Sequence, residues 1–104
     1  MILYEVNLAV EKETAKDFEA WLSHHVDQVV ELGKFERARW YSRNPSEEGL
    51  KDEGKVLWTI HYHAKDRATL DVYLKNHAPK LREEGLKKFP DKFSAARRIL
   101  CLRR

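Results

Sequence analysis

Residues 56–63 constrain the fold most strongly, because their side chains alternate between two chemistries. The even positions are apolar: Val56, Trp58, Ile60 and Tyr62. The odd positions form a mixed set: Leu57, Thr59, His61 and His63. Successive side chains of a β-strand point to opposite faces of the sheet, so this alternation predicts a strand with one core face and one mixed face. What covers the mixed face is therefore the functional question that the sequence poses.

Three further stretches predict strands. Residues Ile2–Val10 repeat the division into an apolar and a mixed face. Residues Phe35–Arg43 and Ser94–Leu102 also alternate, although their facing is open, since a bulge exchanges the two sets. Residues 44–54 combine turn formers with charge and have no apolar period, which predicts a long loop between two strands.

Helices are predicted between these strands. Thr14 with Asp17 resembles a capping box, and Gly33 offers the left-handed conformation that ends a helix. The apolar stripe between them has helical spacing: Phe18, Trp21, Leu22, Val26, Val29 and Leu32. Asp66 is the expected cap of a second helix, which Pro79 interrupts before the helical pattern resumes.

The resulting order of elements is strand, helix, strand, strand, helix, strand. This order predicts a single α+β domain over residues 1–104 with a ferredoxin-like βαββαβ topology. Right-handed crossovers then place a four-stranded antiparallel sheet under two helices, with the first and third strands in the centre. The opposite side of the sheet, here called the open face, has no helix to cover it.

Composition narrows the class of protein. The chain has 104 residues, of which 36% are charged, and its formal net charge is only +3, so both signs are interspersed as on a solvated surface. Cys101 is the single cysteine, which excludes an internal disulfide and favours a reducing compartment. No apolar run is long enough for a membrane span, and the first residues lack the pattern of a signal peptide. We expect a cytoplasmic protein without membrane association.

The candidate functional residues are those expected on the open face. They are Glu5, Asn7, Thr59, His61 and His63 from the central strands, Arg37, Arg39 and Tyr41 from the second strand, and Arg97 or Arg98 from the last. Leu3, Leu57 and Tyr41 among these polar groups indicate partial burial, which a second copy of the chain would supply. The predicted lining of a cavity between two such sheets is Asn7, Arg39, Tyr41, His61, His63 and Arg97.

Four segments of the chain carry a resemblance to a known family. They are MILYEV at the start, WTIHY at 58–62, NHAPKLREEGL at 76–86 and FSAARRIL at 93–100. Nearly the whole chain resembles a small bacterial family known only as a domain of unknown function, which is similar in pattern to the dimeric α+β barrel proteins. Those include antibiotic-biosynthesis-type monooxygenases, haem-degrading enzymes and stress-response barrels. The resemblance implies a homodimer whose sheet faces enclose a cavity, and it assigns no activity.

The resemblance also implies what a haem site would need. Asn7, Tyr73 and His77 are the counterparts of the asparagine, the helix aromatic and the histidine ligand of the haem-degrading branch. Tyr73 stands where that branch usually has tryptophan, and His77 lies only about one helical turn from it, so we expect no haem. A metal on His61 and His63 lacks a third ligand fixed by the sequence, so we expect no metal either.

Three functions remain open at this stage. The first is binding of a small anionic or aromatic molecule in the cavity between the sheets. The same molecule could instead be converted there without a cofactor, by a histidine that acts as a base and an arginine that holds an oxyanion. Another is a purely structural or interaction module, in which the same groups bond across the dimer. The third is weak nucleic-acid binding, which is disfavoured because Asn7 and His61 occupy positions where RNA-binding sheets expose aromatic residues.

Overall fold

The computed structural model of the protein covers residues 1–104. Its elements are the strand β1 (Ile2–Glu11), a 3-10 turn (Lys12–Thr14), the helix α1 (Ala15–Gly33), the strands β2 (Arg37–Arg43) and β3 (Lys55–Ala64), the helices α2 (Arg67–Asn76) and α3 (Ala78–Lys88), and the strand β4 (Phe93–Cys101). The predicted order of elements is confirmed, with the second helical segment divided into α2 and α3 around His77. Residues 44–54 form the irregular connection that the sequence predicts.

The four strands form one antiparallel sheet in the order β2-β3-β1-β4. This order confirms the α+β ferredoxin-like fold, with β1 and β3 in the centre. The register places Glu5 opposite His61 on one side and opposite Arg98 on the other. Because strand neighbours in register share a face, Glu5, His61 and Arg98 all lie on the open face. None of the helices combines the length and the apolar content needed to cross a lipid bilayer.

The core lies between the sheet and the helices. Its largest fully buried side chains are Val10, Phe18, Val29, Ile60 and Leu70. Phe18 of α1 is the centre of an aromatic cluster whose other members lie 4.8–6.4 Å away between ring centroids: Trp21, Trp58, Phe89 and Phe93. Each large apolar side chain that leaves water contributes roughly 1.5–3 kcal/mol, so this one cluster is a major part of what holds the helices on the sheet.

The ends of the helices confirm two sequence predictions and correct two others. Asp66 caps α2 by accepting a hydrogen bond from the Thr69 backbone N–H at 2.8 Å, and Pro79 lies in the first turn of α3. The prediction that Thr14 caps α1 through its side chain is wrong. Its backbone is already helical, with φ −100° and ψ −13°, whereas a capping hydroxyl needs an extended backbone to reach the next turn.

The prediction that Gly33 adopts the left-handed conformation is also wrong. Lys34 adopts it instead, with φ 53°. Gly33 is required for a different reason, because a Cβ atom at this position would overlap the ring of Phe35. Phe35 is buried against Tyr62 and Tyr73, so it has little room to move away.

Candidate functional site

Two regions of the fold carry chemistry: the open face and a cavity between the helices and the sheet. On the open face, the register aligns one row of four side chains across the whole sheet: Arg39, His61, Glu5 and Arg98. A second row aligns Tyr41, Thr59, Asn7 and Ala96. The alternation within β1 and β3 therefore brings most of the predicted site residues together, as the sequence indicates.

Glu5 is the centre of the first row. Its side chain is only 5% exposed, yet it carries a carboxylate on a face that no helix covers. Arg98 Nε donates to Glu5 Oε2, Asn7 Nδ2 donates to the same oxygen at 2.9 Å, and His61 Nε2 donates to Oε1 at 2.9 Å. The hydrogen bond from Arg98, with those from Asn7 and His61, outweighs burial and lowers the pKa of Glu5 to about 2. Glu5 is therefore a fixed negative charge and not a proton donor.

Asn7 links the two rows. Its amide nitrogen donates to Glu5, and its Oδ1 accepts a hydrogen bond from the Thr59 hydroxyl at 2.6 Å. Tyr41 lies edge-on to the imidazole of His61, with 5.3 Å between ring centroids, and remains 44% exposed. The polar groups of these rows largely bond one another, which is the behaviour of a built network more than of a site waiting for a ligand.

His63 is the exception on the open face. It is only 8% exposed, and neither Nδ1 nor Nε2 has a hydrogen-bond partner. It lies opposite Leu3 on β1 and opposite Arg37 on β2. Burial, followed by the charges of Arg37 and Arg39, lowers the pKa of His63. Native structures rarely leave both nitrogens of a buried imidazole without a hydrogen-bond partner, so His63 is the least satisfied group of the open face.

The last strand requires a correction. The predicted lining residue Arg97 pairs in register with Val6, whose side chain lies in the core, so Arg97 lies on the helix side of the sheet. Arg98 takes the place on the open face. Two physical reasons agree with this orientation: Phe93 and Ala95, on the same side of the strand as Arg97, pack against the core, and Arg98 pairs with the buried carboxylate of Glu5.

A cavity of about 230 Å³ lies between the helices and the sheet, and the sequence analysis did not anticipate it. We call it the helix–sheet cavity. Fourteen of its nineteen lining residues are hydrophobic, and they come from the sheet, α1, α2 and α3. Its aromatic walls include Tyr4, Phe18, Trp21, Tyr62, Tyr73 and Phe93. Gly85 and Ala95 are the smallest lining residues, but Gly85 is close-packed against Trp21, where a Cβ atom would lie only 2.9 Å from the indole ring, so no residue spacing in the sequence signals the cavity.

Few polar groups line this cavity. His25 of α1 stacks on Trp21, with 4.6 Å between ring centroids, and its Nδ1 is buried without a hydrogen-bond partner. Burial, followed by the positive charge of Arg97, lowers the pKa of His25 to about 4. Arg82 donates to the Tyr4 hydroxyl at 3.0 Å, which satisfies that polar group. His25 is therefore neutral at physiological pH and is the one unsatisfied side chain of the wall.

Burial also raises the pKa of Tyr62 and of Tyr73, so both phenols are un-ionised. No group of three or more histidine, cysteine, aspartate or glutamate side chains is arranged to hold a metal ion. His61 and His63 differ in their bonding, because His61 bonds Glu5 and His63 has no hydrogen-bond partner.

Comparisons with solved structures support the fold. SnoaB, titled a cofactor-independent oxygenase from Streptomyces nogalater, superposes with a TM-score of 0.66 at 13% identity, over 99% of this chain and 94% of that one. Rv0793 from Mycobacterium tuberculosis superposes with a TM-score of 0.51 at 11% identity, over 100% of this chain and 97% of that one. The de novo designed protein LFR1 1, with a ferredoxin fold, superposes with a TM-score of 0.53 at 17% identity, over 98% of this chain and 88% of that one.

The curated proteins contain no match to the sequence. A family model does match, over residues 1–102, which is nearly the whole chain. Its description is domain of unknown function (DUF4286). This is the kind of family that the four sequence segments resemble, and the ferredoxin-like neighbours agree with it. The chain therefore belongs to the DUF4286 family.

Proposed function

We propose that this protein binds a small planar aromatic molecule in the helix–sheet cavity, and that it does so as a cytoplasmic homodimer joined through the open face. The observation that carries the proposal is the cavity itself. An apolar void of about 150 Å³ can hold benzene, so about 230 Å³ accommodates a substituted single ring. The cavity is partly open to solvent, so a small molecule can enter it without unfolding of the core. A largely apolar pocket with a few polar groups is the usual form of a small-molecule site.

The aromatic walls favour a flat ligand. Phe18, Trp21 and Phe93 already pack on one another at 4.8–5.4 Å between ring centroids, which is the spacing of favourable aromatic pairs. A planar ring inserted beside them makes the same contacts, whereas a charged or strongly hydrated molecule would lose its water without compensation. The fold is compatible with chemistry that needs no cofactor, since the structural neighbour SnoaB is titled a cofactor-independent oxygenase.

The open face supports the dimer. It exposes Tyr41 to 44%, and Leu3, Leu57 and Leu100 lie among its polar groups only partly buried. A twofold-related copy would cover these side chains. The internal bonding of Glu5, Asn7 and Thr59 suits this role, because an interface keeps its buried polar groups paired.

The test uses nitrobenzene as the probe and the three tryptophan indole N–H resonances as reporters. Only Trp21 of the three lines the cavity, so its resonance should shift saturably while that of Trp40 stays in place. Ala95→Phe fills the cavity and should abolish the shift. Val72→Phe is the matched control, because Val72 is 55% exposed on α2 and should leave binding intact. The proposal would be overturned if nitrobenzene left the Trp21 resonance unchanged and bound Ala95→Phe as tightly as the wild-type protein.

A ligand between the two sheets is a second candidate, and His63 is the observation that favours it. Its two unpartnered nitrogens lie beside Arg37 and Arg39, where an anionic group would relieve the positive charge. Benzoate, as an anionic aromatic probe, distinguishes the two sites. Binding there would shift the His63 resonances and leave the Trp21 indole unchanged, whereas binding in the helix–sheet cavity would do the reverse.

A further inference from the structure

We propose that the helix–sheet cavity binds an aromatic carboxylate, with the ring inside the cavity and the carboxylate at its mouth between Arg82 and Arg97. The inference deepens the proposed function and rests on it, because it requires that the cavity holds a planar ring. It adds the charge of the ligand, its orientation and the two residues that recognise it. The aromatic walls alone would accept any flat apolar molecule, so selection has to come from the polar groups.

The mouth of the cavity lies between α3 and β4. Four of the lining residues are exposed, namely Arg82 and Leu86 on α3 and Ser94 and Arg97 on β4, whereas the others are buried or half-buried. A small molecule therefore enters between α3 and β4. The end of the ligand that stays in contact with water must lie beside these four residues.

The charges at the mouth are of one sign. Arg82 and Arg97 are the charged residues of the lining, which contains no aspartate or glutamate. Arg97 forms no ion pair, and Arg82 bonds only the uncharged Tyr4 hydroxyl, at 3.0 Å. Three other arginines of the fold are each paired with a carboxylate: Arg43, Arg67 and Arg98. A cleft lined by unpaired charges of one sign attracts a ligand of the opposite sign, and the planar guanidinium group matches a carboxylate.

Both arginines are positioned by neighbouring residues of β1. Arg82 reaches Tyr4 from α3, and Arg97 pairs in register with Val6 from β4. Tyr4 and Val6 are two residues apart on the helix side of the strand, a separation of roughly 7 Å. Arg82 retains donors that the Tyr4 hydroxyl does not use, since a guanidinium group has five N–H bonds. One carboxylate can therefore accept hydrogen bonds from an arginine on each side of the mouth.

The interior of the cavity determines the orientation of the ligand. Burial raises the pKa of Tyr62 and of Tyr73, although the charge of Arg97 acts in the opposite direction. A negative charge is therefore unfavourable deep in the cavity, even in the field of the arginine. A carboxylate at the mouth keeps part of its hydration and gains the two guanidinium groups, while the ring enters the aromatic interior.

The test compares benzoate with benzamide, two planar probes of nearly the same shape that differ by one negative charge. The indole N–H resonance of Trp21, which lines the cavity, reports the binding of each. We expect benzoate to bind about fivefold more tightly at low ionic strength, because an exposed ion pair contributes at most a few-fold in affinity and two are available. The preference should disappear at about 1 M salt, where the screening length falls to about 3 Å.

Arg97→Met should lower the preference for benzoate about threefold, and the double variant Arg82→Met/Arg97→Met should abolish it. Arg67→Met is the matched control, because Arg67 is 56% exposed on α2 and does not line the cavity, so this variant should keep the full preference.

Two results would overturn the inference and leave the proposed cavity standing, provided that nitrobenzene still shifts the Trp21 resonance. One is equal affinity of the wild-type protein for benzoate and benzamide, and the other is a preference for benzoate that persists in the double variant. If none of the three probes shifted the Trp21 resonance, the inference and the proposed function would both be overturned.

Discussion

Glu5 and Arg98 form an ion pair across the β1–β4 register, on a sheet face that no helix covers. The side chain of Glu5 is 5% exposed while that of Arg98 remains 66% exposed, so the carboxylate is buried and the arginine is in contact with solvent. The side chain of Arg98 reaches Glu5 from the edge strand, and the pair is consistent with the facing that Phe93 and Ala95 give to β4 by packing against the core. The pair thus belongs to the structure of the sheet as much as to its surface chemistry.

Arg98→Met should lower the free energy of unfolding clearly more than Arg97→Met does, because Glu5 stays buried and loses its cation. The exposure of Arg98 keeps the cost below that of a fully buried pair. Arg97→Met removes the same charge from the neighbouring position and should change stability by about 0.5 kcal/mol or less. Urea denaturation at neutral pH measures both, and equal midpoints for the two variants would contradict the expectation.

Protonation of Glu5 should destabilise the fold in acid. Its pKa in the folded protein is about 2, below the ordinary 4.5, so its contribution is fully present above pH 4.5 and is lost as the pH falls from 4.5 toward 2. The loss should be roughly 2–3 kcal/mol. Urea denaturation of the wild-type protein and of Glu5→Gln between pH 6 and 2 measures it. The advantage of the wild-type protein over the variant should shrink across this window, and a constant difference would argue against the Glu5 network.

His25 should produce a second pH window at higher values. Its pKa in the folded protein is lowered to about 4 from the ordinary 6.5, so the unfolded chain takes up its proton first as the pH falls. Stability is therefore full above pH 6.5 and is lost between 6.5 and 4, by roughly 2–3 kcal/mol. His25→Phe should lack this loss. If both proteins lose stability equally over the window, the buried position of the imidazole is wrong.

The facing of the central strands could be predicted because their alternation is unambiguous. In β1 and β3, one set of alternating side chains is apolar and the other is mixed. Burial of the apolar set in the core therefore places the mixed set on the open face. The facing of Arg39 and Tyr41, which the sequence leaves open, is decided in the structure by Trp40 between them, which packs on Trp58 in the core. The sequence and the structure agree wherever hydrophobic burial alone decides.

The facing of β4 and the helix–sheet cavity could not be predicted in this way. Both faces of β4 carry one arginine and one large aliphatic residue, Ile99 or Leu100, so only Phe93 and Ala95, which pack against the core, mark the helix side of this strand. A void depends on how the side chains of distant helices and strands fit together, which no spacing in the sequence encodes.

The homodimer should dissociate when a charge is placed on the open face. Tyr41 is 44% exposed in the protomer, so Tyr41→Glu should leave the fold intact while burying an unpaired carboxylate in the proposed interface. Val72→Glu, at a 55% exposed position on the outer side of α2, is the control and should remain dimeric. Sedimentation velocity at micromolar concentration separates the two states. A wild-type protein of 12.3 kDa under these conditions would rule out a stable dimer.

Gly33→Ala should destabilise the protein, although the same change in an exposed helix usually stabilises it by about 1 kcal/mol. The added Cβ overlaps the ring of Phe35, which is only 6% exposed and packs on Tyr62 and Tyr73. Displacing that ring from a close-packed core should cost about 2 kcal/mol net. Combining Gly33→Ala with Phe35→Leu removes the overlap, so the double variant should be more stable than the sum of the single effects predicts. Thermal or urea denaturation of the four proteins gives the coupling, and strictly additive effects would mean that Gly33 is retained for a reason other than the ring beside it.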